Sequence, residues 1–236
     1  RIIPFDSNVI PFWQRAFLSK RDRQELIFNL KTKIDDFRHQ SLRMNAVFID
    51  FADAFGSIKH DFIFETLSKF SIPEKYACLI EDLYKYSTFK VIFGSELTKL
   101  FYIIRGTKTG DPLSALIFIL IIDRICKPMV STTLANNNLS NEHTLNLIPV
   151  QAFADDIVIV HHDYSVIQKM FDSSEQLMYA SGLEVKPPKC AVLYARRSGH
   201  NWYTGRNETK PDIIVQLHSL QIYDRRSEER RVGKEC

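Results

Sequence analysis

Two hydrophobic rhythms alternate along this chain. In QELIFNLKTKIDDF the apolar residues Leu26, Ile27, Leu30, Ile34 and Phe37 recur at three-to-four-residue steps, which predicts an amphipathic helix. MNAVFIDF, residues 44–51, follows as a short apolar strand interrupted near its end by an acid, Asp50. After Pro73, suited to the first turn of a helix, Tyr76, Leu79, Ile80, Leu83 and Tyr84 mark a second apolar face. TFKVIFGSELTKLFYI predicts a hairpin around Gly94, and DPLSALIFILIIDRICKPM predicts a helix that opens at Pro112 and stops near Pro128. From Ser131 to Pro149 the chain is rich in Asn, Ser and Thr without a period, the pattern of a surface loop or insertion. DYSVIQKMFDSSEQLMYASG returns to helical spacing through Val166, Ile167, Met170, Phe171 and Leu177, with Gly182 as its stop. LEVKPPKCAVLY then reads as a strand broken by a Pro-Pro turn, and no internal repeat interrupts this mixed α/β order.

One stretch breaks the pattern. In VQAFADDIVIVHH, residues 150–162, Asp155 and Asp156 stand together inside an otherwise apolar, strand-like run. Ionised groups leave water only at a cost unless they are paired or bound to a cation. Adjacent strand residues also point to opposite faces, so a continuous strand would drive one acid inward. A tight hairpin, Val150 to Phe153 against Ile157 to Val160, lifts both acids to an anionic tip able to grip a divalent metal. His161 and His162, at the strand's end, are expected to be exposed and carry no assigned role.

Composition narrows the class without naming a chemistry. A chain of 236 residues with 45% hydrophobic content can bury a sizeable core as one large domain or two small ones. Its net charge of +3 says little about a polyanionic partner. Cys78, Cys126, Cys190 and Cys236 form no CxxC pair and no zinc-like spacing with His, which points to a reduced, intracellular protein without a disulfide framework. The longest apolar run, Ala115 to Asp123, is too short for a membrane span; the chain opens at Arg1 rather than Met and shows no charged-then-apolar leader, so a signal peptide is not expected and the chain is expected to be a fragment at its N-terminus. The closing RSEERRVGKEC, residues 226–236, has no apolar period; it resembles the in-frame translation of a sequencing-library adaptor and is expected to be an artefact.

Asp50 at a strand end, Asp155 and Asp156 at a hairpin tip, and the Gly-containing loop RGTKTGDPLS before a helix can be assembled into one site. Two-metal phosphoryl transfer needs such acidic ligands from different strands, with positions left open for phosphate oxygens. A Gly-bearing loop at a helix N-terminus offers backbone N–H donors to a sugar-phosphate chain. From the residues alone a plainer reading stands beside this one: a strand-end Asp that caps a turn, and a Gly-Asp-Pro that only makes one.

The order and separation of FIDFADAF (48–55), RGTKTGDPLS (105–114) and FADD (153–156) resemble palm motifs A, B and C of a reverse transcriptase. GLEVKPPKC (182–190) and WQRAFL (13–18) are similar to further segments of the LINE-type, non-LTR retrotransposon group, and the resemblance runs from about Phe12 to Tyr223. It implies an α+β fold: a right-hand polymerase palm, with a split βαβ-like antiparallel sheet and packed helices, spanning 46–225, preceded by partial fingers in 1–45. It further implies an RNA-directed DNA polymerase acting on an RNA template, a DNA primer and dNTPs with two Mg2+ ions, Mn2+ being a substitute. A nuclear location follows from the same source, and the short apolar runs predict no membrane partner. A group II intron enzyme would share the palm, and a catalytically inactive relic with weak nucleic-acid binding is the alternative in function.

Roles carry over by position. Asp50 and Asp155 are the implied metal ligands, with Asp156 shaping the charge beside them. Asp53 and Ala54 match the backbone that cradles the triphosphate, and Phe55 matches the bulky gate against a ribose 2′-hydroxyl. Gly110, with Arg105, Asp111, Pro112 and Ser114, matches the loop that positions nucleotide, template and primer. Lys189 matches a general acid toward departing pyrophosphate. This chain has Gly56 where the family often has Asp, Thr109 where Gln is common, and Ala16 within the QRGF-like string. Further fingers segments are expected before Arg1 and a primer grip and thumb after Tyr223, so the thumb is expected to be absent from this chain.

Overall fold

The computed structural model describes residues 13–17, 23–108, 110–137, 149–198 and 201–206. Strand β1 (Met44–Ile49) lies at the centre of a five-stranded antiparallel sheet, between β8 (Asp156–His161) and β10 (Ala191–Ser198). The edges are β7 (Val150–Phe153), beside β8, and β11 (Asn201–Arg206), beside β10. Period-two alternation sorts the strand residues between two cores. Val47, Ile49, Val150, Ala152, Ile157, Ile159 and Val192 join the main core with the helices. Met44, Ala46, Val158 and Val160 face the other way, where Leu30, Ile34 and Phe37 of α1 (Arg23–His39) cover them. Ile27, counted with α1's apolar stripe, is exposed.

On the main face lie α3 (His60–Lys69), α5 (Pro112–Asn137) and α6 (Tyr164–Ser181). The middle of α5 is buried on all sides, through Ile117, Phe118, Ile119, Leu120, Ile121, Ile122, Ile125 and Cys126, as a central helix must be. It docks on α6, where Ser174 Oγ donates to the Ile125 carbonyl at 2.7 Å. Gly182 closes α6 at φ 86°, as expected, and at the other end Asp163 accepts from the Ser165 amide at 2.8 Å.

The expected stop near Pro128 does not occur, because α5 continues through it to Asn137. An interior proline costs on the order of 3 kcal/mol. Past it, however, the helix buries Met129, Val130 and Thr133, and each buried apolar side chain contributes roughly 1.5–3 kcal/mol. Ser131 to Asn137 is thus helix and not loop, while residues 138–148 lie outside the described residues. The periodicity reading passed over α3, whose Phe62, Ile63 and Leu67 are buried. It overcounted α4 (Glu74–Lys85), in which Ile80 and Tyr84 point inward while Tyr76, Leu79 and Leu83 are exposed.

The segment around Gly94 forms two nested hairpin ladders, β3 (Thr88–Phe89) with β6 (Phe101–Tyr102) and β4 (Ile92–Phe93) with β5 (Glu96–Leu97). His161 is buried, contrary to expectation, and stacks on exposed His162 with ring centroids 4.3 Å apart. Trp202 is in β11, opposite Arg197. The tail 226–236 and the segment around Tyr223 lie outside the described residues. Among the described residues no helix is long and apolar enough to cross a membrane.

Candidate active site

The site is organised around residues 50–58, the stretch that leaves the central strand. Asp50 follows β1 directly, ahead of β2 (Phe51–Ala52), and is half-buried. Ile49 is paired with Ile157, so one residue further on Asp50 comes level with Asp156 at the mouth of the β7–β8 hairpin. Phe153 pairs with Asp156 across a turn made of Ala154 and Asp155. Asp155 is half-buried in the turn and Asp156 is exposed as the first residue of β8. Directly opposed strand residues lie roughly 4.5–5.5 Å apart between Cα atoms, so the hairpin brings its acids to the same sheet end as Asp50.

A second set of bonds ties Asp50 to the GLEVKPPKC segment. There β9 (Glu184–Val185) pairs with β2, and a 3-10 turn, Pro187–Lys189, follows. The Lys186 amide donates to the Asp50 carbonyl at 2.8 Å, and the Asp50 amide donates to Cys190 Sγ at 3.4 Å. The thiol is itself 3.4 Å from the Lys186 carbonyl, and burial pushes its pKa up, which keeps it a neutral packing group. Lys189 Nζ lies 3.4 Å from Asp50 Oδ1. Position 190 thus clamps the backbone of the strand-end acid, a function the sequence reading did not assign to it.

The third motif reaches the hub through Phe55, in the one-turn helix α2 (Ala54–Ser57). Its carbonyl accepts from the Thr107 amide at 2.7 Å and from Thr107 Oγ1 at 3.2 Å, while the Gly106 amide donates to the Ile58 carbonyl. A Cβ on Gly106 would sit 2.8 Å from the Gly56 carbonyl oxygen, so only glycine lets the two backbones approach this closely. His60 Nε2 lies 3.0 Å from the Gly106 carbonyl. The Phe55 ring stacks on Phe118 of α5, with centroids 4.1 Å apart and 18° between planes. Phe118 was not singled out in the sequence; its place in α5, eight residues after Gly110, is the signal that could have found it.

Other expected positions are spread more widely. Asp53 is exposed at φ 45° and its carbonyl accepts from the Gly56 and Ser57 amides; Ala54 is buried. Any side chain at position 56 would first meet the Asp53 carboxylate, 2.3 Å from an added Cβ, so the departure to Gly56 leaves that space to Asp53. Asp111 caps α5, its Oδ1 accepting from the Leu113 amide at 2.9 Å, and Pro112 is the first helical residue. Gly110 turns at φ 85° in open space, and Arg105 is exposed opposite Lys59. Ser114 is buried, 3.5 Å from the Tyr84 hydroxyl, and does not face solvent with the loop. Thr109 lies outside the described residues.

Among the described residues no three His, Cys, Asp or Glu side chains form a ready metal cage. The donors nonetheless suit a hard divalent cation, which takes carboxylate oxygens. Asp50 Oδ1 is buried and receives no hydrogen bond, its charge being met by the Lys189 ammonium alone among the described ion pairs.

A central antiparallel sheet with two long helices on one face, and acids gathered where β1 meets the β7–β8 turn, define a palm-type polymerase fold. Residues 1–220 match the family described as Reverse transcriptase (RNA-dependent DNA polymerase), and the chain belongs to it. It is 27% identical over 205 residues to the Retrovirus-related Pol polyprotein from type-1 retrotransposable element R2 of Popillia japonica, covering 86% of this chain and 28% of that polyprotein. It is also 27% identical over 161 residues to the type-2 element R2DM polyprotein of Drosophila melanogaster, covering 66% of this chain and 14% of the relative. The chain thus spans less than a third of the curated relatives it matches. In structure it is similar to apo telomerase from Candida tropicalis truncated from its C-terminal domain, with TM-score 0.59, 13% identity, and coverage of 76% of this chain and 36% of that one.

Proposed function

We propose that this chain is the palm, 46–225, with part of the fingers, 1–45, of a non-LTR retrotransposon enzyme that copies RNA into DNA from a primer 3′-hydroxyl. The observation that carries this reading is the β1–β8 register, which brings the chain at Asp50 level with the Asp155–Asp156 turn. Similarity to R2 polyproteins favours the retrotransposon reading over the group II intron one. A nuclear place of action accompanies it. Asp50 and Asp155, with Asp156 beside them, would hold two Mg2+ ions, which when bound neutralise charge on the phosphates and on the attacking 3′-oxygen.

The rest is done by the chain's own groups. The α2 backbone and the Gly110–Pro112 turn bind and orient the triphosphate and the template. Phe55, backed by Phe118, excludes a 2′-hydroxyl by bulk. Lys189, whose ammonium lies 3.4 Å from Asp50 Oδ1, would serve as proton donor toward departing pyrophosphate. The test is primer extension on an RNA template by the polypeptide of the complete reading frame. Mg2+-dependent DNA synthesis is expected, with Asp155→Ala lowering it by roughly 10³-fold or more at unchanged far-UV circular dichroism, as removal of a main electrostatic stabiliser does. Synthesis that survives Asp155→Ala contradicts the assignment.

A further inference from the structure

The segment Trp13–Phe17 takes no part in the chemistry above, yet it is laced to the turn that carries Asp155. The Ala152 amide donates to the Trp13 carbonyl at 2.8 Å, and the Arg15 amide donates to the Ala152 carbonyl at 3.1 Å, so the segment runs as a parallel strut along β7. Between these two bonds lies Gln14, fully buried. Its Oε1 accepts from the Arg15 and Ala16 amides at 2.9 and 3.0 Å, and across 140 residues from the Ala154 amide at 3.3 Å. Ala154 is the residue directly before Asp155 and sits at φ 54°, in the left-handed region that disfavours a residue with a Cβ. A positive φ at the first residue of a two-residue turn is the role glycine normally fills. Here an alanine fills it, and an external acceptor holds its peptide in place.

We infer that Gln14 is a positioning residue for the catalytic turn: its side-chain oxygen fixes the Ala154 peptide, and through it the aim of the Asp155 carboxylate. A buried amide oxygen is suited to this, because it accepts from several backbone donors without bringing a charge beside the acids. The inference rests on the reading of Asp155 as a metal ligand, but its geometric half does not.

That half is tested by hydrogen exchange on the folded chain. Gln14→Leu should speed exchange of the Ala154 amide at least tenfold while the Val47, Val158 and Ile159 amides of the sheet stay protected; unchanged Ala154 exchange overturns the inference. The catalytic half is tested by primer extension with the complete reading frame. Gln14→Leu should raise the half-saturating Mg2+ concentration at least threefold and lower kcat about tenfold, with KM for dNTP within twofold of wild type. A purely structural role would lower the melting temperature and the active fraction and leave the Mg2+ dependence of the active molecules where it was, and that result also overturns it. If Gln14→Leu does not fold, Gln14→Asn, one methylene short of Ala154, decides by the same two readouts. Should the wild-type enzyme prove insensitive to Asp155→Ala, the proposed function fails while the exchange result still stands or falls by itself.

Discussion

Two hairpins of this chain, the β7–β8 pair and the nested arm from Thr88 to Tyr102, are both rich in apolar residues and end in opposite environments. In the first, Val150, Ala152, Ile157, Val158, Ile159 and Val160 are all buried, and the acids stand at the turn, on Asp155 and on Asp156 where β8 begins. In the second every strand residue is exposed, Ile92 at 73% and Phe93 at 82%. The same contrast holds between two stacked ring pairs. Phe55 rests on a Phe118 that is wholly buried, whereas Phe89 and Phe101 stack at 5.3 Å in the open arm. Apolar content therefore does not say which segment builds the site; what does is whether the neighbours on both sides of a strand are themselves fixed. The acids of the β7–β8 turn stand on strands whose apolar residues are buried.

Substitution in the two regions should break the symmetry most visibly in stability. Ile121→Ala, in the fully buried part of α5, is expected to lower the unfolding free energy by about 2–5 kcal/mol, the cost of removed transfer energy plus a cavity. Ile92→Ala in the arm should change it by less than ~0.5 kcal/mol, as exposed positions do. Chemical denaturation of both variants checks this, and comparable losses would mean the arm is covered in solution.

A smaller effect, also confined to the buried region, depends on pH. Asp123 of α5 is completely buried, and that burial pushes its carboxyl up to about 6 from an ordinary 3.8. The Lys127 ammonium, 3.3 Å away, and the Trp13 indole N–H offset only part of this. Because the folded value lies above the unfolded one, folding favours the protonated acid. Below about pH 4 the group costs nothing; as pH rises through 6 it ionises in place and removes stability, on the order of 3 kcal/mol in full. Asp123→Asn should flatten the fall of the denaturation midpoint between pH 4 and 7. An unchanged slope would show that Asp123 is better solvated than its burial implies.

The smallest effect concerns the two ring pairs. Phe55→Val should raise ribonucleotide incorporation relative to deoxyribonucleotide by about tenfold, roughly 1.4 kcal/mol of discrimination. Phe101→Ala in the arm should leave that ratio unchanged. Primer extension with mixed nucleotides reads both, and equal ratios in wild type and Phe55→Val would remove the gate.

How much of this was legible in the sequence depends on which force dominated locally. Period-two and helical spacing sufficed for β1, the β7–β8 hairpin and α6, where a buried face and a capping Asp163 and Gly182 agree. Spacing misled at Pro128, where burial beyond the proline outweighs a lost hydrogen bond, and at α4, where an apolar stripe faces solvent. The acids themselves stood out because a strand does not otherwise hold them. Their supports did not: Cys190 meets Asp50 and Gln14 meets Ala154 across 140 residues each, and no local pattern records a contact of that range.

The most direct test of the central claim is a Mn2+ titration, read by electron paramagnetic resonance, of the complete protein carrying primer, template and dNTP. Carboxylates at the end of β1 and in the β7–β8 turn should bind the ions. Asp50→Asn and Asp155→Asn are then each expected to weaken Mn2+ binding at least tenfold, and Lys189→Ala to strengthen it by removing the ammonium 3.4 Å from Asp50. Equal Mn2+ affinity in wild type and both Asp variants would contradict the account.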